Sequence, residues 1–148
     1  MEPLYSTKVT ATGGRYSHIN SEDNTLNAEV GIAKEMGGTS GVSLSPETLF
    51  AGGFAASFNN ALNIVIRRKK IEAGKTNTTA EVSVFKYGSG YKFNVQLEVE
   101  IPGVDYADAE DLVKEAHQVS AYSYATNGNI DVTVVVKKEV VAEDYMYF

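Results

Sequence analysis

The feature that most constrains this chain is an apolar run from Leu49 to Ile66. Ser45-Pro46-Glu47 opens it and Arg67-Arg68-Lys69-Lys70 closes it. Serine suits a helix N-cap, proline fits the first helical position where its missing N–H costs nothing, and a carboxylate favours the positive helix end. The four cations complement the negative end. A helix apolar on nearly all sides belongs either in a protein core or in a membrane. Asn59, Asn60 and Asn63 interrupt the run and no second candidate span exists in the sequence. The pattern therefore predicts a central core helix and no membrane partner.

On either side of it the chain alternates with the period of a strand. Val9 and Ala11 alternate with Lys8, Thr10 and Thr12; Gly13-Gly14 breaks that run, and residues 15–21 return as a second strand. After the polar turn Ser21-Glu22-Asp23-Asn24, Leu26, Ala28, Val30 and Ile32 share one face. Residues 34–43, with three glycines, read as a surface loop. Beyond the helix, Ala80, Val82 and Val84 lead to a Gly88-Ser89-Gly90 turn. Tyr91, Phe93, Val95, Leu97, Val99 and Ile101 follow, and Pro102-Gly103 ends the run. Asp105 is placed to cap a second helix with Leu112, Val113, Ala116 and Val119 at helical spacing, and Ile130, Val132, Val134 and Val136 make a last strand. The order β-β-β, α, β-β, α, β, with no linker or repeat in 148 residues, predicts one α+β domain over 1–148.

Composition removes several functions. A net charge of −6 argues against nucleic acid and anionic membranes, both of which need a cationic face. Cysteine is absent, so no disulfide, thiolate metal site or thiol nucleophile is possible. With only His18 and His117 besides, no metal and no cofactor is expected. The opening Met1-Glu2-Pro3 has neither a basic nor an apolar leader pattern, and the cytoplasm is the expected location.

Three stretches carry a more specific signal: "TATGGR" at 10–15, "SPETLFAGGFAASF" at 45–58 and "AHQVSAYSYATNGNIDV" at 116–132. Together they resemble the organic hydroperoxide resistance branch of the OsmC-like proteins, and the likeness runs over nearly the whole chain. The resemblance implies antiparallel sheets wrapped around two central helices in an intertwined homodimer, with active sites at the subunit interface. It also implies a thiol peroxidase that reduces small organic hydroperoxides and is recycled by a dithiol. It places the reactive cysteine at Ser57, the resolving cysteine at Ser120, the arginine at Arg15 and the glutamate at Glu47. The proline beside the resolving position is replaced by Ala121.

In that chemistry an arginine beside a thiol favours the thiolate, and a carboxylate orients the arginine. Sulfur attacks the O–O bond, becomes a sulfenic acid and condenses with the second thiol. Serine oxygen supports none of these steps, so the peroxidase cycle is expected to be absent. Taken singly, Ser57 is also a helix-packing serine, Arg15 a solvated turn residue, Glu47 a first-turn carboxylate and His117 a structural hydrogen-bonder.

Three readings follow. One is a peroxidase seen with both cysteines exchanged for serine. A second is a natural cysteine-free relative whose pocket binds a small apolar molecule; the further departures Ala121, Asn59 and Asn60 favour it. The third is a hydrolase using Ser57 with His117 as base, which the missing G-x-S-x-G elbow and the mid-helix position of Ser57 disfavour.

Overall fold

A computed structural model describes residues 1–14, 16–38 and 44–138. The chain divides into two compact units, Met1–Leu49 and Phe50–Phe148, with the boundary inside the long helix.

The first unit is an antiparallel sheet in the order β1 (Val9–Gly13), β2 (Ser17–Ser21), β3 (Asn27–Val30). Val9 pairs with Ser21, Ala11 with Ile19, and Ile19 in turn with Ala28. β3 begins at Asn27 and ends at Val30, inside the run from Leu26 to Ile32 that the pattern predicts, and the turn that precedes it is built from side chains. Asp23 Oδ1 accepts from the Ser21 hydroxyl at 2.7 Å, and from the Thr25 amide at 3.1 Å and hydroxyl at 2.7 Å. Asn24 adopts the left-handed conformation at φ 63°, which its short polar side chain tolerates. β1 is exposed at all five positions. A 3-10 turn, Lys34–Met36, occupies the start of the expected loop; the loop's end, residues 39–43, lies outside the described residues.

The long helix α1 (Pro46–Arg68) starts where the sequence placed it, with Ser45 Oγ accepting from the Thr48 amide at 3.2 Å. In the second unit, α1 is followed by the hairpin β4 (Asn77–Tyr87) and β5 (Gly90–Glu100). The two-residue Gly88-Ser89 turn has Gly88 at φ 60°, a conformation hairpin turns need and glycine supplies without strain. α2 (Tyr106–Val119) and α3 (Ala121–Thr126) then lead to β6 (Val132–Val136). Asp105 caps α2 by accepting from the Asp108 amide at 2.9 Å. The sheet order is β4-β5-β6, with β4–β5 antiparallel and β5–β6 parallel. The parallel pair arises because the chain returns to the sheet through helices rather than a tight turn.

The core of this unit joins Phe54, Phe58, Leu62 and Val65 of α1 to Val95, Leu97 and Val99 of β5 and to Leu112, Val113 and Ala116 of α2. Val119, expected on the buried stripe, is exposed because α2 ends there. By length and composition α1 is the one helix among the described residues apolar enough to cross a membrane. One face of it, with Phe54, Phe58, Leu62 and Val65 at 0% exposure, is packed into the core.

Candidate functional site

Ser57 lies in the middle of α1, between the buried rings of Phe54 and Phe58. Ser120 lies 63 positions further on, between α2 and α3. The structure brings them together: Ser57 Oγ and Ser120 Oγ are 3.4 Å apart. That is loose for a hydroxyl pair, whose usual spacing is about 2.5–3.0 Å. Ser120 is 1% exposed, whereas Ser57 is half-buried and keeps an accessible side.

Local chain geometry explains how Ser120 reaches α1. Its backbone turns extended, φ −66° and ψ 126°, and so ends α2 while its amide still donates to the Ala116 carbonyl. Its Oγ accepts from the Ser123 amide at 3.4 Å, so the same residue caps α3. The short helix α3 is held to α1 by Tyr122. That ring meets Phe54 with centroids 5.4 Å apart and Phe50 at 6.1 Å, tilted by 57° and 58°. The Tyr122 phenol lies over Gly53, where an added Cβ would come within 2.9 Å of Tyr122 Cζ. A glycine inside a helix costs about 1 kcal/mol relative to alanine. Here it makes room for the ring that docks the Ser120 corner.

Sequence reasoning missed α3 and the Gly53–Tyr122 contact. The Gly52-Gly53 pair inside an otherwise strong helix was the available signal.

Glu47 occupies the first turn of α1, is half-buried, and has no hydrogen bond or ion pair among the described residues. Arg15 lies outside the described residues, so its expected pairing with Glu47 does too. His117 packs its ring near Phe58, at 6.4 Å between centroids, and its Nδ1 is buried with no partner among the described residues. Among the described residues the Ser57 hydroxyl bonds to Ser120 and to no base, which removes the geometric support for a Ser57–His117 hydrolase.

The asparagines that interrupt the apolar run of α1 have different surroundings. Asn60 is exposed. Asn59 Oδ1 accepts from the hydroxyls of Thr76 at 2.9 Å and Thr78 at 3.0 Å. Asn63 Nδ2 donates to the Asn59 carbonyl at 2.8 Å and to Thr76 Oγ1 at 3.0 Å. These polar groups tie α1 to the start of β4.

Chemically, the paired positions hold two alcohols. They donate and accept protons in hydrogen bonds, but with no sulfur in reach they cannot cycle through sulfenic acid and disulfide.

Comparison with known proteins gives the family. The family model for OsmC-like proteins matches residues 37–135. The chain is 42% identical over 142 residues to organic hydroperoxide resistance protein OhrA of Bacillus subtilis (strain 168), covering 91% of this chain and 97% of that one. It is similar to the crystal structure of an organic hydroperoxide resistance protein from Elizabethkingia anophelis with thiocyanate bound. The TM-score is 0.90 at 43% identity, over 94% of this chain and 100% of that one. A Vibrio cholerae protein described as a putative organic hydroperoxide resistance protein, with captopril bound in one of its active sites, matches with TM-score 0.83 at 40% identity. The match covers 95% of this chain and 97% of that one. The chain is a cysteine-free member of the OsmC-like family, in its organic hydroperoxide resistance branch.

Proposed function

We propose that this protein keeps the binding site of an organic hydroperoxide reductase without its redox cycle, and that it holds a small, largely apolar organic molecule at Ser57 and Ser120. The family resemblance gives Arg15 and Glu47 the reductase's remaining roles. The observation that carries it is the 3.4 Å approach of the two hydroxyls at the positions of the reactive and resolving cysteines. The loose spacing and the difference in burial, Ser120 enclosed and Ser57 accessible, fit a place shaped for a larger atom pair of which one faces the substrate. The captopril bound in an active site of the related Vibrio cholerae protein supports a site that receives small molecules.

Two structural features support the expected homodimer and single domain. β1 is exposed at all five positions, and a strand exposed on both faces offers a surface for a partner. The family match runs across both compact units, and α1 contributes to each.

The test is the double variant Ser57→Cys/Ser120→Cys. A site retaining the reductase's shape gives a protein that forms an intramolecular disulfide when treated with an alkyl hydroperoxide and consumes the peroxide in the presence of a dithiol. The same preparation sediments at the mass of two chains. A double variant that stays reduced and inactive would show that the site has lost that shape; a monomer mass would remove the dimer.

A further inference from the structure

The hydrogen-bond order at the two serines determines what kind of head group the site receives. Ser120 is 1% exposed, so its hydroxyl proton has no water to turn to and must find a protein acceptor or remain unpaired at a cost. Its oxygen already accepts from the Ser123 amide, a donor that cannot reverse. Among the described residues the acceptor within reach of the Ser120 proton is Ser57 Oγ, at 3.4 Å. The opposite order, with Ser57 donating to Ser120, leaves the Ser120 proton buried without an acceptor. The bonds therefore run in one direction: Ser123 N–H to Ser120 Oγ, then Ser120 O–H to Ser57 Oγ.

Ser57 has no other hydrogen-bond partner among the described residues, including the carbonyl one helical turn earlier that a mid-helix serine often takes. With its oxygen engaged from behind by Ser120, its own proton is left on the accessible side. An ionised thiol at this place would have no proton to give.

We propose that Ser57 acts as a fixed hydrogen-bond donor, and that the site selects apolar molecules headed by an acceptor oxygen: a ketone, ester or carboxylate in which that oxygen carries no proton. This rests on the proposed ligand site at Ser57 and Ser120 and adds the polarity of its contact.

Acetophenone and α-methylstyrene have nearly the same shape, and only the ketone can accept a hydrogen bond. Titrating each into the isotopically labelled full chain, with the Ser57 and Ser120 amide resonances as the readout, gives both the affinity and the location. One neutral hydrogen bond predicts acetophenone binding about five-fold tighter than its hydrocarbon counterpart. Ser57→Ala, which suits a helix interior, removes the donor to the ligand together with the acceptor of the Ser120 hydroxyl, and brings acetophenone and α-methylstyrene to equal affinity.

Benzoate carries the same acceptor with a full charge. Binding tighter than acetophenone narrows the class to carboxylates and weaker binding narrows it to neutral carbonyls; either result supports an acceptor-selective site provided that Ser57→Ala weakens it. Equal affinity of the ketone and the hydrocarbon, or a preference that survives Ser57→Ala, overturns the donor assignment and leaves the binding site standing. No perturbation of either serine amide by any of the three molecules overturns the binding site itself, and this inference with it.

Discussion

At position 57 the side chain ends in an oxygen 3.4 Å from the one at position 120, and that single choice of atom separates this chain's chemistry from that of a thiol peroxidase. The positions are near-isosteric with a cysteine pair, yet an alcohol is not ionised near neutral pH and has no recyclable oxidised form. A second residue-scale property lies in the β2–β3 turn. The Ser21 hydroxyl first, then the Thr25 hydroxyl and amide, hold the Asp23 carboxyl at about 2, below its usual 3.8. Because the folded value is depressed, the stabilisation is full above the unfolded value and is lost as pH falls from 3.8 towards about 2. Asp23→Asn keeps the Oδ1 acceptor but removes the charge. Its thermal midpoint is expected to fall less steeply than that of the parent chain across this window. Equal slopes in the two proteins would show that Asp23 titrates alike folded and unfolded.

At the scale of elements, α1 is both a core helix and the platform for the site. Its Asn59 and Asn63 bind the segment leading into β4. Asn59→Ala leaves the Thr76 and Thr78 hydroxyls without their acceptor, and Thr76 is only 8% exposed. The expected loss is about 1–3 kcal/mol in a denaturant titration; a change below about 0.5 kcal/mol would mean that water replaces the amide. Elements with local signals were legible in the sequence: Ser45 and Asp105 cap their helices as their positions imply, and Gly88-Ser89 turns the hairpin. The short α3 was not, since six residues form a helix there through Tyr122 docking on Gly53, Phe54 and Phe50. The parallel β5–β6 pairing was equally hidden, because strand partners are chosen by the whole sheet. Nothing local in the sequence announces that residues 57 and 120 meet; the family resemblance was the only pointer to that pair.

For the whole molecule, an OsmC-like fold carries two serines 3.4 Å apart and no cysteine with which to perform a thiol-dependent reduction. Fold and reaction are separable in this way because the scaffold is held by α1, β5 and α2, whose buried residues do not depend on the atom at position 57. The most direct measurement is the consumption of an alkyl hydroperoxide by the unaltered chain in the presence of excess dithiol. The predicted result is a rate equal to that of the dithiol alone at every protein concentration. A rate that rises in proportion to the protein would contradict the account.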